Sequence, residues 1–119
     1  MNWQFDKEKP ICPQIYELIC VQIASGRFET DQKLPSVREI AVAAGVNPNT
    51  VQKAFEKLEA SGLTYSVRGT GWFVADNKDA ANEIVKNLIS EKTVQYFESL
   101  HSFGMSHGEI KKYVEEWKR

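Results

Sequence analysis

The sequence of 119 residues lacks the features that mark membrane, secreted and zinc-binding proteins. No run approaches the roughly 18 consecutive apolar residues that a membrane span requires, and Met1–Pro10 lacks the basic and then apolar pattern of a signal peptide. The only cysteines, Cys12 and Cys20, have no partner at zinc-ligand spacing and are too few for a disulfide framework. The sequence therefore predicts a small cytoplasmic protein with no membrane association. It leaves open any redox role of the two cysteines.

The chain also carries little net charge, −1 at neutral pH. Because phosphate binding relies on a positive electrostatic field, this overall balance argues against a nucleic-acid partner. The distribution is uneven, however, since residues 33–72 contain five cations and three anions, whereas residues 1–32 are net acidic. The positive excess is confined to one segment of the chain.

No set of catalytic residues is present either. His101 and His107 are the only histidines, and no carboxylate or cysteine lies near them at a ligand spacing, so neither a metal site nor a cofactor is expected. No Ser-His-Asp or Cys-His arrangement can be argued. The short Gly69–Gly71 run lacks the Lys-Ser/Thr of a phosphate-binding loop. The sequence predicts that the protein is not an enzyme.

Helix signals are strong in the first half of the chain. Apolar residues recur at helical spacing between Gln14 and Ser25, which predicts a first helix. Ser36 with Glu39 forms a capping box at the start of a second helix that ends near Ala44.

A third helix follows after a tight turn. Asn47 is typical of an N-cap, and Pro48 suits a first helical position. A helix-turn-helix needs a small residue where the helices cross, a glycine in the turn and an apolar wedge in the second helix, and these stand at Ala41, Gly45 and Val51. The segment Val37–Leu58 is therefore predicted to be a helix-turn-helix.

A β-hairpin is predicted directly after this motif. The β-prone runs Leu63–Val67 and Trp72–Ala75 are joined by a glycine-containing turn at Arg68–Gly71. A hairpin in this position is a wing.

The last third of the chain is again helical. An apolar stripe runs from Asn77 to Leu100, and a second capping box, Ser106 with Glu109, starts a final helix. The predicted fold class is mainly α with a small β-hairpin. We expect an N-terminal winged helix-turn-helix domain in residues 1–76 and a two-helix dimerisation segment in residues 77–119.

These motifs resemble the GntR family of bacterial transcription regulators, and within it the YtrA-type subfamily. The matching stretches run in order from residue 10 to residue 71 and are Pro10-Ile11, Gln14-Ile15, Gly26, Leu34–Ala41, Val46–Val51, Leu58-Glu59, Gly62-Leu63 and Gly69–Gly71. The short two-helix tail is also similar to that subfamily. Some positions depart from the family pattern: Cys12 stands where an aromatic residue is common, Asp31 where glycine is common, and Pro48 and Gln52 where many relatives carry arginine.

The resemblance implies a sequence-specific DNA-binding regulator. It is expected to be a dimeric repressor that occupies a pseudo-palindromic operator in double-stranded DNA. The resemblance leaves open whether a small-molecule effector changes the separation of the two winged domains. The alternative is a winged-helix protein-interaction module without DNA binding, which the low net charge and the lack of arginines on the third helix favour.

The start of the third helix is the predicted recognition surface. Residues there contact base edges or phosphates when such a helix enters the major groove. The residues that lie off the apolar face and are predicted to bind DNA are Asn47, Asn49, Thr50, Gln52 and Lys53. Asn and Gln can pair bidentately with adenine, Thr can contact phosphate or a thymine methyl group, and Lys53 is expected to contact phosphate. The alternative makes Asn47 only a cap and the others a solvated face.

Further contacts are implied outside this helix. The resemblance assigns Arg38, and Arg68 with Gly69 at the wing tip, to DNA, since a guanidinium can reach into a narrow minor groove and glycine permits close approach. Ser36 is first a helix cap, with phosphate contact as a second role. The alternatives are an ordinary hairpin turn, and an ion pair of Arg38 with Glu39 or Glu59.

The C-terminal helices carry more apolar surface than a winged helix of this size needs to cover. The residues predicted to form a homodimer interface are Ile84, Leu88, Tyr96, Phe97, Leu100, Tyr113 and Trp117. A two-fold dimer would place two recognition helices about 34 Å apart. The alternative is that these helices fold back onto their own domain.

Overall fold

The computed structural model describes residues 1–118. Within this range the chain forms five helices and one two-stranded antiparallel sheet. In chain order they are α1 (Ile11–Ala24), α2 (Val37–Ala44), α3 (Pro48–Ala60), β1 (Thr64–Val67), β2 (Gly71–Val74), α4 (Lys78–His101) and α5 (His107–Glu116). The predicted fold, mainly α with a small hairpin, is confirmed. The chain divides into two compact units, one spanning Met1–Val85 and a second that begins at Lys86.

Helices α1 and α3 form the centre of the first unit. Ile15 of α1 and Phe55 of α3 are completely buried, because apolar residues at helical spacing turn one stripe of each helix toward the core. Helix α1 begins at Ile11, directly after Pro10 and before the apolar periodicity that starts at Gln14. This start is compatible with Pro13, since a proline in the first turn loses no helical hydrogen bond.

Helices α2 and α3 form the predicted helix-turn-helix. The Glu39 N–H donates to the Ser36 hydroxyl at 3.0 Å, and the Ser36 N–H donates to the Glu39 carboxylate at 3.2 Å. Gly45 adopts a φ of 68° in the turn, a left-handed conformation in which a Cβ atom is unfavourable. Val51 is completely buried between the helices. The capping box, the turn and the wedge residue are confirmed.

The hairpin of β1 and β2 has an inner and an outer face. Tyr65 pairs with Phe73, and Ser66 pairs with Trp72. The Trp72 ring meets the Phe55 ring of α3 edge-on, with centroids 5.5 Å apart. Because successive strand residues point to opposite faces, Tyr65 and Phe73 lie on the outer face, where their rings stack at 5.6 Å.

A third extended segment, residues 31–34, pairs with the free edge of β2. Three backbone hydrogen bonds join it to β2, among them one from the Asp31 N–H to the Val74 carbonyl oxygen at 2.8 Å. Lys33 lies opposite Phe73 in an antiparallel bridge. This segment could not be predicted from the sequence, because residues 31–34 have no alternation of apolar and polar residues that would indicate a strand.

The second unit contains the remainder of α4 together with α5. Ser106 and Glu109 form the predicted capping box at the start of α5. Ile110 is completely buried, whereas many other apolar side chains of this unit are exposed. Among the helices in residues 1–118, none is both long enough and apolar enough to cross a membrane.

Candidate nucleic-acid interface

The start of α3 presents a row of polar side chains. The helix begins at Pro48 with Asn47 as its N-cap, as predicted, and the Asn49 N–H donates to the Asn47 Oδ1 at 2.8 Å. Asn47 and Asn49 are exposed, and Thr50 and Gln52 are half-buried. Within residues 1–118 the Asn47 side-chain nitrogen has no hydrogen-bond acceptor. The Asn47 amide therefore caps the helix with its oxygen and keeps its nitrogen available as a donor.

Gln52 is restrained within α3, whereas Lys53 is not. The Gln52 Nε2 donates to the Glu56 Oε1 at 3.3 Å, one turn further along the helix. Lys53 is exposed, and no carboxylate of the described chain lies within ion-pair distance of it. The bond to Glu56 uses one of the two hydrogens on the Gln52 nitrogen, so the second hydrogen and the side-chain oxygen stay available to another partner.

Arg38 projects from the first turn of α2 with its charge unpaired. It is exposed and forms no ion pair within the part of the chain that the structure describes. The two glutamates considered as its partners are engaged elsewhere: Glu39 by Ser36, and Glu59 by Ser66. The ion pair that was the alternative for Arg38 is therefore not formed. The Ser36 hydroxyl accepts the capping hydrogen bond of α2 and keeps its own hydrogen as a donor.

The tip of the wing is open. The Thr70 N–H donates to the Val67 carbonyl oxygen at 2.9 Å and closes the turn. Arg68 and Gly69 are exposed. A Cβ at Gly69 would meet no atom within 4 Å, and its φ of 77° favours glycine. Another molecule approaching the tip would meet no side chain at this position.

Sequence reasoning missed Lys7, which the fold brings to the helix-turn-helix. The Lys7 Nζ donates to the Gly45 carbonyl oxygen at 3.3 Å, although 38 positions separate the two residues. The ammonium lies at the end of α2, where the helix dipole favours a positive charge. The arm that carries it is held by Gln14, whose Nε2 donates to the Asp6 carbonyl oxygen at 2.8 Å. No local spacing signals such a tertiary contact.

Lys57 is a cation of α3 that packs against α1. Its Nζ lies 4.4 Å from the centroid of the Tyr16 ring on α1. A lysine over an aromatic face is attracted by the ring quadrupole. This ammonium is therefore directed toward the body of the domain.

The two cysteines are not placed to form a disulfide. Both lie on α1, eight positions apart, which separates them by about 12 Å along the helix axis, beyond disulfide reach. Burial raises the pKa of the Cys20 thiol to about 11. In residues 1–118, no group of three or more His, Cys, Asp and Glu side chains could hold a metal ion.

The residues predicted to form a dimer interface differ in their surroundings. Ile84 belongs to the first unit and packs partly against its core. In the second unit, Leu88, Phe97 and Leu100 are half-buried. The Phe97 ring contacts the His107 ring, with centroids 4.9 Å apart.

Three aromatic side chains of the predicted interface are exposed. Tyr96, Tyr113 and Trp117 expose 42%, 49% and 54% of their surface, respectively. Tyr96 and Trp117 line a groove of about 290 Å³ together with Val114. We call Tyr96, Tyr113 and Trp117 the exposed aromatic surface of the second unit.

The chain is similar to known proteins over most of its length. Residues 13–74 match the family model described as bacterial regulatory proteins, gntR family. The chain is 32% identical over 108 residues to the HTH-type transcriptional repressor YtrA of Bacillus subtilis, and the match covers 90% of this chain and 83% of YtrA.

Solved structures show the same similarity. A GntR family transcriptional regulator from Listeria monocytogenes matches with a TM-score of 0.80 at 32% identity, over 96% of this chain and 100% of that chain. AraR(DBD), solved in complex with operator ORX1, matches with a TM-score of 0.54 at 38% identity, over 60% of this chain and 87% of that chain.

Proposed function

The chain belongs to the gntR family of bacterial regulatory proteins, and on that premise we propose that it is a DNA-binding transcriptional regulator that represses by occupying an operator as a homodimer. YtrA is a transcriptional repressor, and AraR(DBD) was solved in complex with an operator. The proposal places the protein in the bacterial cytoplasm, with double-stranded DNA as its partner.

In this proposal the start of α3 reads base edges in the major groove. Asn49 and Gln52 supply amides that can pair with adenine, and Thr50 supplies a methyl group and a hydroxyl. The Asn47 oxygen accepts the hydrogen bond that caps α3, so we expect Asn47 to contribute mainly its NH2 group as a donor.

Backbone contacts come from the surrounding cations. Arg38 and Lys53 bind phosphates, and Ser36 adds a hydroxyl contact at the start of α2. Arg68 reaches into the minor groove, where Gly69 lets the wing tip approach closely. The observation that carries the proposal is the set of three exposed cations, Arg38, Lys53 and Arg68, with no carboxylate partner in residues 1–118. The exposed amides of Asn47 and Asn49 lie at the start of α3, the helix that also carries Lys53.

The second copy is proposed to dock on the exposed aromatic surface of the second unit. Tyr96, Tyr113 and Trp117 are each about half exposed, and an exposed apolar patch of this kind is typical of a protein–protein interface. Closure by a two-fold axis covers the same surface on both copies and sets the two α3 helices about 34 Å apart, one turn of B-DNA. A small-molecule effector would act by changing this separation.

The salt dependence of DNA binding tests the proposal. Affinity of the purified chain for a fluorescent duplex is measured by anisotropy over a salt series. If a dimer places Arg38 and Lys53 of both protomers on phosphates, the logarithm of the binding constant should fall with the logarithm of the salt concentration. The expected slope of this log–log plot is about −3.6 or steeper. A slope near zero, with helical content intact by circular dichroism, would contradict the proposal. It would favour the protein-interaction module, with which a net charge of −1 is compatible.

A further inference from the structure

Lys33 is attached to the wing although it precedes the helix-turn-helix in the chain. It lies opposite Phe73 of β2 in an antiparallel bridge. Its neighbours Gln32 and Leu34 are both hydrogen-bonded to β2 through their backbones, at 3.0 and 2.9 Å. The backbone of Lys33 is therefore fixed relative to the wing and does not depend on a flexible loop.

The lysine lies on the outer face of the wing. Opposite residues of an antiparallel pair share a face, so Lys33 is on the side of Phe73. The inner face carries Trp72, whose ring packs against Phe55 of α3. The Lys33 side chain therefore extends on the side of the wing that faces away from α3.

The side chain runs toward the tip of the wing. A Cβ at Gly71 would lie 3.3 Å from the Lys33 Cε, and Gly71 is two residues nearer the turn than Phe73, which lies opposite the lysine. The stem thus passes from the level of Phe73 across Gly71, in the direction of Arg68. Glycine at position 71 leaves the space that the stem occupies.

The ammonium of Lys33 has no internal counter-charge. Among residues 1–118 no carboxylate lies within ion-pair distance of it. The acidic residue nearest in sequence, Asp31, accepts a hydrogen bond from the Tyr65 hydroxyl at 2.8 Å. This bond raises the pKa of Tyr65, so the phenol remains a donor and keeps the Asp31 carboxylate occupied.

We infer that Lys33 is a phosphate-binding residue of the wing, which contacts the DNA strand on the far side of the minor groove from α3. The inference rests on the proposed function, in which α3 occupies the major groove and Arg68 enters the adjacent minor groove. The inner face of the wing then faces the DNA strand that separates the two grooves. A cation on the outer face, near the tip, faces the opposite DNA strand across the minor groove.

A lysine on a phosphate supplies affinity but no sequence readout. Its loss therefore weakens binding to operator and random duplexes alike, and it reduces the salt dependence. For each bound protomer that loses one phosphate contact, the log–log slope becomes shallower by about 0.9.

The experiment compares three variants with the parent chain on a random-sequence duplex. Lys33→Gln removes the charge, and Lys33→Arg keeps it. Lys57→Gln is the matched control, because it makes the same change in net charge within the same unit, at a lysine whose Nζ lies over the Tyr16 ring. We expect Lys33→Gln to flatten the slope by about 0.9 per protomer, and Lys33→Arg and Lys57→Gln to retain the parent slope.

An unchanged slope in Lys33→Gln would overturn the inference. So would an equal flattening in Lys33→Gln and Lys57→Gln, because it would reflect only the net charge of the chain. A parent chain that binds no duplex at low salt would instead refute the proposed function, and that result is distinct from a failure of Lys33 alone.

Discussion

The Glu59 carboxylate on α3 holds the first strand of the wing through Ser66. Its Oε1 accepts hydrogen bonds from both the N–H and the hydroxyl of Ser66, each at 2.9 Å. Together with the ring contact between Phe55 and Trp72, this joins the wing to the helix whose first turn carries the candidate base-reading side chains. One polar and one apolar contact thus help to fix the wing relative to α3, the two elements that are proposed to contact DNA.

Glu59→Ala is expected to loosen the wing without unfolding the domain. The Ser66 N–H and hydroxyl lose their acceptor, which costs about 0.5–1 kcal/mol in the free energy of unfolding because both groups can turn to water. Urea denaturation measures the change in the free energy of unfolding, and hydrogen exchange of the Ser66 amide measures the loosening of the wing. Glu56→Ala, which removes a carboxylate bonded to Gln52 of its own helix, should leave the Ser66 amide unchanged. Equal exchange rates in Glu59→Ala and the parent chain would contradict this role.

Variants of Asn47 separate its role as a helix cap from its role toward DNA. Serine keeps a cap oxygen, so Asn47→Ser should change the free energy of unfolding by less than about 0.5 kcal/mol, whereas Asn47→Ala should cost about 1 kcal/mol. Both variants remove the NH2 donor and are expected to lose operator affinity to a similar extent. Urea denaturation and anisotropy are measured on the same preparations. If Asn47→Ser binds DNA as tightly as the parent chain, Asn47 is a cap and nothing more.

A charge in the aromatic surface of the second unit should separate the proposed dimer. Tyr113→Glu places two carboxylates in an apolar interface related by a two-fold axis, and their desolvation is unfavourable. We expect the parent chain to sediment as a dimer and the variant as a monomer. Val21→Glu, at an exposed apolar residue of α1, is the control and should remain dimeric. Identical sedimentation of Tyr113→Glu and the parent would place the interface elsewhere.

The start of α5 should be sensitive to acid. The Ser106 N–H donates to the Glu109 carboxylate at 2.9 Å, and this bond lowers the pKa of Glu109. A group whose pKa is lower in the folded than in the unfolded state stabilises the fold above its unfolded pKa, and the contribution is lost as the pH falls through the folded pKa. NMR titration of the Glu109 carboxyl should therefore give a lower pKa in the native chain than in urea. Equal values would contradict the capping bond.

The parts of the fold that the sequence predicts are those determined by neighbouring residues. Both capping boxes, Ser36 with Glu39 and Ser106 with Glu109, join residues three positions apart, so a local pattern is sufficient to find them. The left-handed turn at Gly45 follows in the same way from one residue type.

The parts that could not be predicted depend on tertiary pairing. Lys7 reaches Gly45 across 38 positions, and Lys33 reaches the wing because residues 31–34 pair with β2. Residues 31–34 have no periodic pattern, and the positions of Lys7 and Lys33 are set by backbone and side-chain bonds to distant residues. Lys7 and Lys33, whose positions the sequence does not predict, therefore lie against the elements proposed to bind DNA.

Selection of binding sites from a random duplex pool tests whether the chain binds an operator as a homodimer. The selection uses the parent chain, Arg38→Ala, Asn49→Ala and the control Arg27→Ala, an exposed arginine outside the proposed interface. We expect the parent chain and Arg27→Ala to recover a two-fold symmetric site with half-sites about one helical turn apart, and the other two variants to lose it. Failure of the parent chain to enrich any sequence at low salt would contradict operator binding.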